Sequence, residues 1–293
     1  MPRRMDIWRC GFVARPLEAL LSGWGDAGEV HWLPEQPPGC FLADPFGWSQ
    51  GSTLHVFAEA MDYRSHHGTI ERLTFDASGR LLEQRQALRE PWHLSYPVVL
   101  AADGAVWMMP EAHRSGRLTL YRGDDALENW RPETSIELDA TPVDATPLWY
   151  GERWWLFYTP AGPRPQRLHV AWSSKLTGPW HVHPANPVRI DAAGARPAGH
   201  AQVINGRILL PVQDCSSTYG GAVRPLWIER LDEHQFQASL GPALSLPPTA
   251  GSYRDGMHTL SACGDWTLFD VKRIDRSGRG WWYGLQRLLR PSS

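Results

Sequence analysis

Five times along this chain a tight turn leads into a short apolar strand, at a spacing of roughly fifty residues, the period of propeller blades rather than of a sandwich. The turns are Gln50-Gly51, Asp103-Gly104, Gly151-Glu152, Asn205-Gly206 and Gly264-Asp265. Behind them come Leu54–Ala58, Val106–Met109, Trp154–Tyr158, Ile208–Val212 and Trp266–Val271. Each reads as a hairpin between a first and a second strand. Third and fourth strands are expected at Gly68–Phe75 and Arg80–Ala87, and again at Arg117–Tyr121 and Ser135–Leu138. The repetition predicts an all-β fold, a five-bladed β-propeller. Its blades are expected over about 41–90, 91–140, 141–190, 195–245 and 250–293, in a single domain covering 1–293. The last unit is short. Gly280–Leu289 is expected as a strand there, and an N-terminal strand, Ile7–Val13, is expected to complete the sheet and close the ring. The one helical stretch, Pro16–Ser22, falls outside the blades.

Composition narrows the function more than the fold. A net charge of −2 offers no basic field for nucleic acid and no acidic tail. Sixteen tryptophans are many for 293 residues. The indole suits strand packing and also stacking on sugar rings; Trp48, Trp92 and Trp149 are candidate platforms, with blade packing the plainer explanation for each. Four scattered cysteines without a C-x-x-C pair exclude a zinc ribbon and argue against a disulfide framework. No apolar segment follows Arg3 and Arg4, and no run approaches the roughly 18 apolar residues of a membrane span. The expectation is a cytoplasmic protein with no membrane or nucleic-acid partner and no cofactor.

The polar residues at the strand ends carry the chemistry. First strands open on Asp44-Pro45-Phe46, Ser95-Tyr96-Pro97, Asp144-Ala145-Thr146-Pro147, Gly199-His200-Ala201-Gln202 and Gly256-Met257-His258-Thr259. Second strands end on Glu59, Glu111, Thr159, Gln213-Asp214 and Asp270. An antiparallel second strand returns to the face where the first began, so both sets converge at one mouth of the central channel. His93, Tyr96, Arg196, Arg254, Lys272 and Arg273 lie nearby in sequence. Carboxyls facing one small volume cannot all ionise, which is the condition for a general acid beside a general base. An Asp at a strand start often only caps a turn. Five blades sharing the feature favour the functional reading.

These residues also carry a family resemblance. Phe41-Leu42-Ala43-Asp44-Pro45-Phe46 resembles the first-blade signature of the arabinanase, xylosidase and invertase-like glycosidase propellers. A nearer resemblance is to the N-terminal propeller of plant glucosamine inositolphosphorylceramide transferases and their bacterial relatives. It rests on His93-Leu94-Ser95-Tyr96-Pro97, Met109-Pro110-Glu111, Gly178-Pro179-Trp180 with Asn186-Pro187, Ala195-Arg196-Pro197-Ala198-Gly199, Gln213-Asp214-Cys215 with Tyr219-Gly220, and Gly256-Met257-His258-Thr259-Leu260. The hydrolase resemblance implies an Asp base on blade one, a tuning Asp on blade three and a Glu acid on blade four. Asp44 and Asp144 fit the first two, whereas the fourth-blade start has no carboxyl. Either Glu111 or Asp214 supplies the proton from another strand, or His200 does, or the ordinary hydrolysis does not occur; the expectation taken forward is Asp44 as base, Glu111 as acid and Asp144 as the tuning residue. His93, Tyr96, Arg196, His200, Gln202, Asp214, Arg254, His258 and Asp270 are the expected substrate ligands. An inverting hydrolysis needs its two carboxyls about 6.5–9.5 Å apart.

Three alternatives stay open. The aspartates with His200 and His258 could hold a metal at the axis, although no pair of histidines has a ligand spacing; His66-His67 and His181-x-His183 read as surface or strand-face residues. The same pocket could bind a glycan or a sugar nucleotide without cleaving it, in the service of a transferase partner. A protein-binding scaffold is the weakest, because such rings do not need a channel crowded with carboxyls.

Overall fold

In the computed structural model, residues 4–25, 28–162 and 166–288 are described. The chain starts in β1 (Met5–Val13), passes the short helix α1 (Leu17–Leu20) and returns in β2 (Val30–Trp32). The first full sheet follows as β3 (Cys40–Gln50), β4 (Thr53–Asp62), β5 (His67–Phe75) and β6 (Leu81–Leu88), paired in that order. The second repeats it with β7 (Ser95–Ala102), β8 (Ala105–Glu111), β9 (Leu118–Gly123) and β10 (Trp130–Ile136). The last of these lies earlier than the Ser135–Leu138 expected.

The third sheet consists of β11 (Pro142–Tyr150), β12 (Arg153–Pro160) and β13 (Arg167–Ser173), edged by β14 (His181–Val182) and β15 (Arg189–Ile190). In the fourth, β16 (Arg196–Pro197) and β17 (Gln202–Ile204) both pair with β18 (Arg207–Asp214), which leads to β19 (Ala222–Leu231) and β20 (Phe236–Leu240). The fifth sheet runs β2-β1-β22-β21, with β21 (Leu260–Cys263) and β22 (Trp266–Asp275) from the far end of the chain. Five sheets make a five-bladed β-propeller.

Ring closure is a register of nine residue pairs between β1 and β22, from Met5 opposite Asp275 to Val13 opposite Thr267. Alternation along these strands sends apolar side chains into the seams between sheets. Phe46, Tyr96, Met109, Leu156 and Tyr158 fill one seam, and Cys10, Phe12, Leu54, Val56 and Leu268 fill the one across the closure.

The strand expected over Gly280–Leu289 is instead a helix, α2 (Arg279–Leu288); Leu289 itself lies outside the described residues. The physical reason is that β1 and β2 already occupy the outer positions of the fifth sheet. A segment with no strand to pair with satisfies its backbone internally as a helix. Tyr283 of α2 packs on Gly39, where a β-carbon would come within 2.7 Å of the ring.

The fourth sheet's inner strand is broken between β16 and β17 for a steric reason. Leu260 N–H donates to Ala198 O across the blades at 2.7 Å, and a β-carbon on Gly199 would lie 2.0 Å from Leu260 O. Glycine at φ 139° is what permits so close a backbone approach.

Candidate active site

Three inner strands present their functional residues by one local device. β3, β7 and β11 each shift register, between Ala43 and Phe46, Ser95 and Val98, and Val143 and Thr146. One residue in each bulge is left-handed: Asp44 at φ 49°, Tyr96 at φ 45° and Asp144 at φ 50°. That conformation costs an L-residue about 1–2 kcal/mol, and Asp tolerates it better than most. The bulge turns the side chain out of the strand's alternation and toward the axis.

The cavity that Asp44 and Asp144 reach has a volume of about 450 Å³. Asp44, Glu59, Glu111 and Asp144 line it together with His93, Arg196 and His258. Trp8, Tyr63 and Tyr219 add aromatic faces. Two linked networks organise these groups.

The first network centres on His258. Its Nδ1 lies 2.6 Å from Asp270 Oδ2 and 3.6 Å from Asp44 Oδ1. Its ring stacks on Trp8, with centroids 3.6 Å apart. Burial works against the imidazolium, but Asp270 and Asp44 outweigh it and raise the His258 pKa. Asp44 Oδ1 accepts the Thr259 hydroxyl at 2.6 Å, and Oδ2 accepts Tyr96 N–H at 3.3 Å. Burial raises the Asp44 pKa; the His258 charge opposes the rise and favours the carboxylate. Asp270 also accepts from the backbone N–H groups of Asp44, His258 and Thr259, at 3.2, 3.0 and 3.1 Å.

The second network is a carboxyl pair. Asp144 is hydrogen-bonded to Glu111. Arg196 Nε reaches Asp144 Oδ2 at 2.5 Å, and Gln213 Nε2 donates to the same oxygen at 2.9 Å. His113 Nδ1 lies 2.6 Å from Glu111 Oε1. Burial pushes Asp144 well above the usual carboxylate range. Burial also pushes Glu111 up, but His113, Arg196 and the bond with Asp144 outweigh it and hold Glu111 down at about 2. Two buried carboxyls in contact hold one proton between them, and here it rests on the Asp144 side. Glu59 is raised as well, by burial first and then by Asp44 and Glu111.

His93 has a fixed tautomer. Its Nδ1 accepts Gly68 N–H at 2.9 Å, so Nε2 carries the hydrogen, 3.4 Å from Glu59 Oε1. Burial lowers the His93 pKa to about 4 and does the same at His200. An unfolded histidine protonates near pH 6.5, so above that value neither residue affects stability. Below it the unfolded chain takes up protons that the folded chain refuses. Each residue then withdraws up to about 3 kcal/mol of stability by pH 4. Both rings are expected to stay neutral to about pH 4 in an NMR titration, and midpoints near 6.5 would contradict the burial argument.

Six of the expected site residues therefore meet in the cavity: Asp44, Glu111, Asp144, His93, Arg196 and His258. Tyr96 and Asp270 stand behind it, buried and bonded to its members. Four do not join them. His200 turns its Nε2 to Val99 O at 3.2 Å and its ring edge onto Phe46, because the break at Gly199 redirects the strand. Gln202 sits on β17 opposite Leu209, beyond the break. Asp214 is spent on the Ser216 hydroxyl and N–H and lies 3.6 Å from Arg224. Arg254 is exposed and donates to Gly251 O at 2.9 Å. Trp48, Trp92 and Trp149 are absent from the lining; Trp8 is the indole that faces the cavity.

Sequence reasoning missed the contribution of the closing strand. Arg4, Asp6 and Trp8 all line the cavity, and their spacing of two is the signal of one strand face. Lys272 was noted only as a neighbour. It is fully buried, with Nζ donating to Tyr219 O and lying over the Trp8 ring at 5.3 Å, so it pins the loop that carries Tyr219. Asp44, His258 and Asp270 place possible metal-donor atoms within 4.8 Å of one another. As arranged, His258 Nδ1 faces both carboxyl groups, at 2.6 Å from Asp270 and 3.6 Å from Asp44.

Fold and site together define a class: a five-bladed propeller with an axial cavity in which a part-buried arginine and a histidine balance a group of carboxyls. Residues 33–245 match the family described as glucosamine inositolphosphorylceramide transferase 1, N-terminal, and the chain belongs to that family. It is 34% identical over 248 residues to glucosamine inositolphosphorylceramide transferase 1 of Oryza sativa subsp. indica, covering 76% of this chain but 32% of that protein. The Arabidopsis thaliana protein of that name is 34% identical over 244 residues, with 81% and 31% covered. The chain thus spans under a third of these relatives. Among solved structures, Zg3597, a family 117 glycoside hydrolase of Zobellia galactanivorans, superposes with a TM-score of 0.59 at 13% identity, covering 83% of this chain and 88% of that one. The catalytic domain of Coprinopsis cinerea GH62 α-L-arabinofuranosidase gives 0.56 at 13% identity, covering 82% and 93%. These two likenesses concern the fold.

Proposed function

We propose that the axial cavity binds a sugar and that its carboxyls act on a glycosidic bond. One observation carries this reading: Asp44, 3.6 Å from His258 Nδ1, shares the cavity with the buried Glu111–Asp144 carboxyl pair. Asp44 is the base that takes a proton from the attacking hydroxyl or water. The pair delivers its proton to the departing glycosidic oxygen, with Asp144, gripped by Arg196 and Gln213, setting where that proton rests. His93, Arg196 and His258 are the polar ligands, and Trp8, Tyr63 and Tyr219 offer flat faces to the sugar's C–H groups. The relatives' name supplies a substrate class, a glucosamine, whose ammonium such carboxyls would accept.

The test is an assay of aryl glycosides and amino-sugar glycosides across pH, reading released sugar. A bell-shaped profile is expected. Its acid limb follows protonation of Asp44, and its alkaline limb follows loss of the proton that the pair shares. Saturable sugar binding with no release from any glycoside would remove the catalytic reading.

That outcome would favour a second reading, a sugar-binding module that assists a transferase. Arg196 supports it, since the fourth blade brings a cation to the cavity where the hydrolase resemblance expects the acid. Among the described residues no helix is long and apolar enough to cross a membrane. Cys10, Cys40 and Cys263 are free thiols, which supports a cytoplasmic location.

A further inference from the structure

A second cavity, of about 180 Å³, lies at the ring closure, beneath the loop that leads into β3. Trp8 and Phe41 wall both this cavity and the axial one. Three arginines reach it from three elements: Arg9 on β1, Arg273 on β22 and Arg279 at the start of α2.

These guanidinium groups are short of acceptors. Arg9 Cζ lies 4.6 Å from the Trp32 ring centre and 6.0 Å from that of Tyr253, and Arg273 Cζ lies 5.5 Å from Tyr253 on its own account. Two cations therefore share one aromatic ring. The Nε atoms of both Arg9 and Arg273 are shut off from solvent with no hydrogen-bond partner. A buried donor left unpaired is costly, and such groups in native proteins normally meet an acceptor. Two carboxyls also line the cavity. Glu35 comes only to 3.9 Å of Arg9, with its side chain 77% exposed, and Asp275 accepts Ser277 N–H at 2.7 Å. Neither bonds an orphaned Nε, and among the described residues Arg273 and Arg279 have no ion pair within 4 Å. Three positive side chains against two negative ones leave a net positive cavity.

We propose that this cavity is a binding site for a phosphate group, taken from free phosphate or from a phosphomonoester. Three guanidinium groups from different directions match an oxyanion with several acceptor oxygens better than a carboxylate, which one arginine fork can satisfy. The anion screens the two cations stacked on Tyr253. The N-terminal end of α2 adds a favourable dipole.

Calorimetric titration of the full chain tests the site, with inorganic phosphate and with glycerol 3-phosphate against chloride at equal ionic strength. Saturable binding of at least one is expected, and the tighter of the two identifies the source. A double variant, Arg9→Gln with Arg273→Gln, is expected to weaken it at least tenfold. Should that protein fail to fold, Arg279→Gln at the exposed mouth is expected to weaken binding severalfold with circular dichroism unchanged. Arg196→Gln in the axial cavity should leave phosphate binding as it was. No heat beyond chloride, undiminished binding in the arginine variants, or loss of binding in Arg196→Gln would each overturn the proposal.

Discussion

Replacing Asp44 with Asn is expected to lower turnover by roughly 10²–10⁴-fold while sugar affinity changes little. The amide keeps the shape of the carboxylate but cannot take up a proton as a base. Its surroundings can receive it. The carboxylate accepts Tyr96 N–H on one oxygen and the Thr259 hydroxyl on the other. An asparagine that keeps its oxygen toward Tyr96 turns its NH₂ to Thr259, whose hydroxyl can reverse and accept. Comparing kcat with calorimetric sugar affinity in the two proteins separates catalysis from binding. Unchanged turnover with a large loss of thermal stability would make Asp44 a bracing residue of the His258 network and nothing more.

Asp270→Ala is expected to cost about 3–5 kcal/mol of stability, the range for removing one partner of a buried ion pair. The substitution strips the imidazolium of its nearer carboxylate, leaving Asp44 at 3.6 Å as its remaining anion. It also orphans the backbone N–H groups of Asp44, His258 and Thr259, all bonded to this one side chain. Urea unfolding measures the loss, and a change below about 1 kcal/mol would mean that water replaces the carboxylate without penalty. Asp270→Asn should fall between the two, since it keeps one acceptor oxygen but turns an NH₂ toward donors. The loss should also reach the cavity, because Asp270 holds together the two blades, first and fifth, on which Asp44 and His258 stand.

The blade architecture and half of the candidate site could be read from the residues. Glycine-containing turns at a fixed period, three of them with Asn or Asp beside the Gly, set the hairpins, because few residues tolerate the backbone such turns need. Antiparallel pairing then brings the start of each first strand and the end of each second to the same face. That reasoning reached Asp44, Glu111, Asp144 and His258 without a coordinate, and nearness in sequence added His93 and Arg196. It failed on the fourth blade, where Gly199 touches the backbone of Leu260 and the inner strand breaks. His200 and Gln202 then leave the axis, since strand alternation carries over only while the strand is continuous, whereas on the continuous β18 it is Gln213 that faces Asp144, and alternation turns Asp214 away.

Sequence by itself determined what is local or repeated: the hairpins, the period and the polar ends of the strands. Tertiary structure decided which of those ends become a site. Asp144 gives up its ordinary acidity because the ring buries it and brings Glu111 and Asp44 close to it, against the Arg196 guanidinium, which favours its carboxylate. Trp8 reaches His258 only because the first strand of the chain pairs with the last, which also leaves the C-terminal segment with no sheet to join and turns it into a helix. Propensity acts over a few residues. Charge, desolvation and strand vacancy depend on neighbours that the ring brings together from more than two hundred residues apart, as it does Asp44 and Thr259 at a separation of 215.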